Sequence, residues 1–241
     1  MRWLWIWKAK MSEAASDTDV INVDGLLFPN DPRFISDRIA KRLERGGYEE
    51  REANAVRQVL RRGDRVLELG GGIGFISSLI GTSRPPSEFH VYEGNPQLVP
   101  FIRQVHALNG LDNISVHNTL LSVDATNDVP FYLREDFLGS SMDRDNDPDT
   151  IIDTVKVPQK PFSDVIETLQ PTFLVCDIEG AESTILPSAD LSCLRAAVVE
   201  LHPQWTGQDG VQAVFDAFQN AGLTYFARTS HGKVVTFKKR G

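Results

Sequence analysis

The chain has 241 residues, with 25 Lys and Arg against 33 Asp and Glu and a net charge of −8. That length can bury a core as one α/β domain, and an acidic balance with no basic stripe excludes a nucleic-acid backbone as partner. Two cysteines, Cys176 and Cys193, make neither a disulfide scaffold nor a metal centre, so a reducing cytoplasm is the simplest location.

Trp3, Leu4, Trp5, Ile6 and Trp7 form an aromatic burst flanked by Arg2, Lys8 and Lys10. It is too short to span a bilayer and has no signal-peptide cleavage pattern. Tryptophan with cations suits a membrane surface, but packing on the domain or on a second copy of the chain is equally compatible, and membrane contact is not the favoured expectation. Ser12–Asp19 is polar and reads as a linker, which sets residues 1–22 apart from a domain over 23–241. Ile35, Ile39 and Leu43 recur at helical spacing and predict a helix over Asp31–Gly46. A second helix is expected from Glu49 to Leu60. Together the two make a layer, over about 31–62, ahead of the sheet. Glu49, Glu50 and Glu52 precede Arg57, Arg61, Arg62 and Arg65 at helical spacing and read as a solvated face.

Residues 64–74, Asp-Arg-Val-Leu-Glu-Leu-Gly-Gly-Gly-Ile-Gly, hold the strongest signal. Val66, Leu67 and Leu69 predict a strand buried on both faces, and Phe75–Ile80 reads as the start of a helix. A strand that passes through glycines into a helix brings backbone N–H groups and a positive helix end against a ligand. The residues after Gly74 are Phe75, Ile76 and Ser77, with no lysine, so this is not a phosphate-cradling P-loop. A dinucleotide fingerprint needs a small residue where Phe75 stands. The remaining pattern, acidic-x-Gly-x-Gly-x-Gly, is matched by Glu68, Gly70, Gly72 and Gly74, and it resembles motif I of class I methyltransferases that use S-adenosylmethionine. Phe89, Val91 and Tyr92 alternate as a strand that ends at Glu93, leaving room for one helix and a return strand after Glu68. A carboxylate at that strand tip can accept hydrogen bonds from both ribose hydroxyls of a nucleoside.

Further along, Leu98–Asn109 reads as a helix stopped by Gly110, and Ile114–Asn118 as a third strand leading to Leu120 and Leu121, placed to cover an adenine ring. Residues 129–137 and 151–157 predict an inserted hairpin (about 129–157 in all) around an Asp-rich segment. That segment could fold over an acceptor, although a solvated insertion is the plainer expectation. Thr172–Asp177 and Ala196–Leu201 are buried strands. Val211–Ala221 is a helix stopped by Gly222. Leu223–Arg228 and Val234–Phe237 close the chain as an antiparallel hairpin.

The second chemical centre is Cys176-Asp177-Ile178-Glu179-Gly180-Ala181-Glu182. Ligands of open α/β sheets bind outside the carboxyl ends of the strands, which puts Asp177 and Glu179 on the rim with Glu68 and Glu93. Glu182 opens the next helix, where its charge suits the N-terminal dipole. Glu200 and His202 alternate at the end of the fifth strand and share a face. Imidazole suits a general base near neutrality, so His202 and Asp177 are the candidates to take a proton. Asp177, Glu179 and His202 could ligate a cation, but nothing in the spacing demands it, and no metal is assigned from sequence.

From about Val23 to Phe237 the chain resembles the FkbM family of methyltransferases. The matching pieces are Gly47-Tyr48-Glu49, Glu68-Leu69-Gly70-Gly71-Gly72-Ile73-Gly74, Glu93-Gly94-Asn95-Pro96, Asp177-Ile178-Glu179-Gly180-Ala181-Glu182 and Glu200-Leu201-His202. The family's usual motif I begins Asp-x-Gly-Ala, where this chain has Glu68 and Gly71. The resemblance implies a Rossmann-like, mostly parallel sheet with a C-terminal antiparallel hairpin and helices on both faces. It implies S-adenosylmethionine held by Glu68, Gly70, Gly72, Gly74, Glu93, Asn95 and Asp177, with catalysis by Asp177, His202 and Glu179. It further implies methyl transfer to a hydroxyl of a small molecule or sugar-containing metabolite. Transfer to nitrogen or carbon, or a non-catalytic binding role, are the alternatives, and a homo-oligomer is compatible with the sequence.

Overall fold

The computed structural model describes residues 19–124, 127–135, 139–145 and 147–240. The Trp-rich segment, with its expected membrane or subunit contact, and nearly all of the linker lie outside them. The chain falls into two units, Met1–Tyr48 and Glu49–Gly241.

In the first unit, β1 (Val20–Val23) pairs antiparallel with β2 (Leu26–Pro29), a hairpin that straddles residue 22. Helix α1 spans Asp37–Glu44 and buries Ile39 and Leu43. It is shorter than the expected Asp31–Gly46. The Asp31 carboxylate takes the backbone N–H and the guanidinium of Arg33, and Ser36 Oγ accepts the Ile39 N–H. The helix therefore begins at a fresh cap rather than at Asp31. The two helices expected to form one layer belong to different units.

The second unit is built on a seven-stranded sheet in the order β12-β13-β11-β10-β3-β4-β5. Its strands are β3 (Arg65–Leu69), β4 (Glu88–Glu93), β5 (Ser115–Asn118), β10 (Phe173–Cys176), β11 (Ala196–Glu200), β12 (Leu223–Tyr225) and β13 (Val234–Lys239). The neighbours β5 to β11 are parallel, and β13 runs antiparallel to both β11 and β12. This is the mostly parallel Rossmann-like sheet with a C-terminal antiparallel hairpin that the resemblance implies. All four residues of β10 are buried, as a central parallel strand requires. Leu67, Leu69, Leu174, Cys176, Ala197 and Val199 pack with Phe162, Val214 and Phe218, which come from α5 (Phe162–Leu169) and α7 (Pro203–Asn220). The alternate residues Val66, Phe89 and Val91 are buried on the other face. There Ile102 of α4 (Leu98–Leu108) lies against Val91 and Gly71. Helix α2 (Glu50–Val59) packs on α3 (Phe75–Ser83) and on β11.

Buried Asp64 fastens the far end of the sheet. It accepts from Arg195 Nε at 2.7 Å and from Thr172 Oγ1 at 2.9 Å, which ties the approaches to β3, β10 and β11 together and fixes their register.

Four features depart from the sequence reading. Helix α7 starts at Pro203, before the expected Val211, and is broken at Gly207; the break and Gly210 interrupt the apolar periodicity that would have revealed it. Helix α5 and the short parallel pair β6 (Leu120–Ser122) and β9 (Gln159–Pro161) are additions. The inserted hairpin is present as β7 (Val129–Arg134) with β8 (Ile151–Val157). Leu121, expected over an adenine ring, is part of the core beside Tyr92.

Candidate functional site

The register of the sheet aligns the strand ends. Leu69 lies beside Tyr92 and Cys176, and Cys176 beside Val199. The row one residue further is therefore Gly70, Glu93, Asp177 and Glu200. Four separate segments of sequence deliver their chemistry to one rim, which is where open α/β sheets bind ligands.

The glycine loop is pressed against its neighbours on both sides. Gly70 has φ +84°, and a Cβ there would sit 1.8 Å from the Asp177 carbonyl oxygen. A Cβ on Gly71 would meet Ile102 Cδ1 at 2.8 Å. Close approach, more than conformational freedom, is why these positions lack side chains. Glu93 latches the loop. Its Oε2 accepts from Gly71 N–H at 2.9 Å and Gly72 N–H at 3.1 Å, while Oε1 accepts from Asn95 N–H at 2.7 Å. Burial pushes its pKa up against the pull of these backbone donors. Asn95 is buried and its Oδ1 takes the Gln97 N–H at 2.9 Å, so its side chain shapes the turn after β4.

Glu68 stands one row back, 1% exposed. It lies near the backbone N–H of Ser77 in the first turn of α3, whose pull works against burial. Its Oε2 is buried without a hydrogen-bond partner among the described residues. Burial, reinforced by the charges of Glu49 and Glu93, raises its pKa well above the usual carboxylate range.

At the other end of the row, the loop after β10 bends sharply. Glu179 adopts φ +50° and Gly180 φ +103°; the left-handed turn at Glu179 costs about 1–2 kcal/mol. Glu182 holds the bend. Its Oε2 accepts from Gly180 N–H at 2.8 Å, and its Oε1 accepts from His202 N–H at 2.9 Å and lies 3.3 Å from His202 Nδ1. Glu182 thus does more than sit at a helix start. Helix α6 (Glu182–Ile185) is a single turn, and the buried carboxylate joins the tips of β10 and β11.

Because a carboxylate can only accept, His202 donates from Nδ1 and its Nε2 faces the cleft. Nε2 lies 3.5 Å from both Asp177 Oδ1 and Glu179 Oε2. Burial disfavours charge on this ring, but the Glu182 hydrogen bond and the charges of Glu179, Glu182 and Glu200 outweigh it and hold the pKa above its ordinary value. The Asp177 side chain is 38% exposed as a whole, yet its Oδ1 is shut off from water and has no hydrogen-bond partner among the described residues. Burial, then the charges of Glu200, Glu179, Glu49 and Glu52, push the Asp177 pKa well up. Burial also raises Glu179, although His202 pulls the other way.

The structure therefore brings Asp177, Glu179 and His202 together and sets Glu93 on the loop of Gly70 and Gly72. Glu68 and Gly74 sit at the start of α3. Three residues join them that the sequence reading left unassigned. Glu52, expected on a solvated face, is half-buried beside Glu200, and burial first, then the Glu200 charge, pushes its pKa up. Trp205 lies beside Glu179 and packs its Cβ 3.1 Å from the position of a Gly180 Cβ. Glu200 was detectable through its shared face with His202; Glu52 gave no signal, since its neighbour is 148 residues away.

Among solved structures, two similar chains are methyltransferases and a third is a complex with AdoMet. Precorrin-6y C5,15-methyltransferase of Geobacter metallireducens GS-15 is 11% identical, covering 88% of this chain and 94% of its own, with a TM-score of 0.47. Magnesium protoporphyrin IX methyltransferase of Synechocystis PCC 6803, with bound SAM, is 11% identical over 85% of each chain, at 0.46. TYW2 of M. jannaschii, in complex with AdoMet, is 12% identical over 94% and 89%, at 0.46. No curated protein matches. The methyltransferase FkbM domain matches residues 74–237, about two thirds of the chain. This chain belongs to the FkbM methyltransferases, which take their methyl group from S-adenosylmethionine.

Proposed function

We propose that the protein methylates a hydroxyl of a small molecule or sugar-containing metabolite. The observation that carries this reading is the convergence of Asp177, Glu179 and His202 beside the glycine loop. The residues fit the methyl donor. Glu68 offers a buried, unpartnered oxygen under the loop, and the backbone at Gly70 and Gly71 leaves no room for side chains that would close the cradle. Glu68, Gly70, Gly72, Gly74 and Glu93 would hold it, with Asn95 shaping the turn and Asp177 at the reacting end.

When bound, the cofactor supplies a methyl on a sulfonium: the C–S bond breaks as the C–O bond forms, and S-adenosylhomocysteine leaves. The residues do the rest. Fixing the hydroxyl oxygen in line with the methyl can supply about 7–11 kcal/mol of the barrier. The alcohol proton passes to the Asp177–Glu179–His202 group, an assistance worth about 10²–10⁴-fold. Glu182 holds the His202 ring in place for this step.

The test is transfer of labelled methyl from S-adenosylmethionine into hydroxylated metabolite fractions. Asp177→Asn and His202→Gln should lower turnover while S-adenosylhomocysteine still binds. Label appearing only on nitrogen or carbon, or turnover untouched by both changes, refutes the O-methylation reading.

A further inference from the structure

Asp177, Glu200 and His202 each offer one donor atom, and these atoms lie within 4.8 Å of one another. Two independent features show that this is more than a cluster of acids. The His202 side chain is 4% exposed and turns Nε2 into the cluster. With Nδ1 committed to Glu182, Nε2 is the atom the ring offers to the cluster, and among the described residues it makes no hydrogen bond; Asp177 Oδ1 and Glu179 Oε2 stand off at 3.5 Å. Facing it, Asp177 Oδ1 is a buried acceptor that also lacks a partner. A ring nitrogen and a carboxylate oxygen 3.5 Å apart, with Glu200 and its neighbour Glu52 alongside, form a place that a metal ion would satisfy.

We infer that Asp177, Glu200 and His202 hold a divalent metal ion of the Mg²⁺/Mn²⁺ class at the carboxyl ends of β10 and β11. Two donors opposite each other on such an ion are about 4.2 Å apart, twice its bond length, so the donors need only small side-chain rotations to close on it. Two carboxylates and one imidazole suit Mn²⁺ better than Mg²⁺, because nitrogen ligands favour the transition metal. The second oxygen of the arrangement is also present: a ligating histidine ordinarily gives its other N–H to a carboxylate, which is what Glu182 does for His202. Resting on the methyl-transfer reading, the ion would bind the acceptor's hydroxyl and favour its ionised form. His202 is then a ligand, and Glu179, outside the donor set, is left to receive the proton. Acceptors able to chelate, such as adjacent hydroxyls, are the class this site selects.

The experiment uses the full chain, freed of metal with EDTA and titrated with MnCl₂, with bound ion read by calorimetry and by the electron spin resonance of free Mn²⁺. One ion per chain is expected. Asp177→Asn and Glu200→Gln should abolish binding, and Glu182→Gln should weaken it about 10–100-fold. Circular dichroism of every sample reports an intact fold, and S-adenosylhomocysteine is titrated into wild type and Glu200→Gln. Wild-type protein that binds S-adenosylhomocysteine but no Mn²⁺ overturns the metal site and leaves the methyl-transfer reading standing. So does Mn²⁺ binding that Asp177→Asn and Glu200→Gln leave unchanged. Specific Mn²⁺ binding without any affinity for S-adenosylhomocysteine upholds the ion and removes the methyl-transfer role given to it.

Discussion

Replacing Gly70 by alanine tests whether the glycine loop and the Asp177 strand tip are as tightly joined as the structure has them. Two costs separate cleanly. The first is the left-handed backbone at φ +84°, about 1–2 kcal/mol for a residue with a Cβ. The second is the collision. The new Cβ would lie 1.8 Å from the Asp177 carbonyl oxygen and 3.0 Å from its carbon, and neither is the end of a flexible side chain. The strands must part by more than an ångström, which strains the Asp177 N–H to Leu69 O hydrogen bond of 2.9 Å. That bond is worth about 1 kcal/mol, and overpacking adds about 1–3 kcal/mol. Gly63 is the internal control, because its φ is +80° and nothing lies within 4 Å of its Cβ position. Gly63→Ala should therefore cost about 1–2 kcal/mol and Gly70→Ala about 3–6 kcal/mol. Any gain from a stiffer unfolded chain is common to both. Urea unfolding followed by circular dichroism gives the two values. If Gly70→Ala costs no more than Gly63→Ala, the close approach is wrong, and with it the joining of cofactor loop to Asp177.

Two more predictions address the same region. Glu93→Gln keeps the shape of the side chain but turns an amide nitrogen toward either Gly71 and Gly72 or Asn95, orphaning buried N–H donors that Glu93 now satisfies. It should cost about 1–3 kcal/mol and weaken S-adenosylhomocysteine binding; thermal unfolding and calorimetry identical to wild type would rule out the latch. His106 of α4, buried and 2.8 Å from Ser77 Oγ on α3, has its pKa pushed down to about 4 from 6.5 by burial. The unfolded chain takes up this proton first, so the His106 contribution to stability is complete above pH 6.5, declines as the pH falls toward 4, and is level below that. The decline should amount to about 3 kcal/mol. Subtracting the stability–pH curve of His106→Asn from that of the wild type isolates it, and a flat difference between pH 7 and 4 would show that the buried imidazole does not stay neutral.

Much of this protein was legible along the chain because local rules fix local structure. The apolar run Val66–Leu69, the glycines after it and the helix start at Phe75 fall within a dozen residues, and backbone sterics with strand-to-helix geometry dictate the turn wherever it is placed. Alternation in Phe89–Tyr92 and the buried runs before Asp177 and Glu200 identified strands for the same reason: a parallel strand covered on both faces has to be apolar throughout. The cap at Ser36 was missed because a side-chain hydrogen bond overrides periodicity there, and the early start and break of α7 because Gly207 and Gly210 interrupt it. What the linear order could not contain is the row Gly70, Glu93, Asp177 and Glu200, since register belongs to hydrogen bonds between strands far apart in sequence. Nor could it reveal that Glu52 stands beside Glu200, or that Glu182 turns Nε2 of His202 toward an Asp177 oxygen without a partner. Those relations exist only once the strands are laid side by side, because the fields of charges and the demands of buried lone pairs act through space over a few ångströms, and the chain has no local way to write them down.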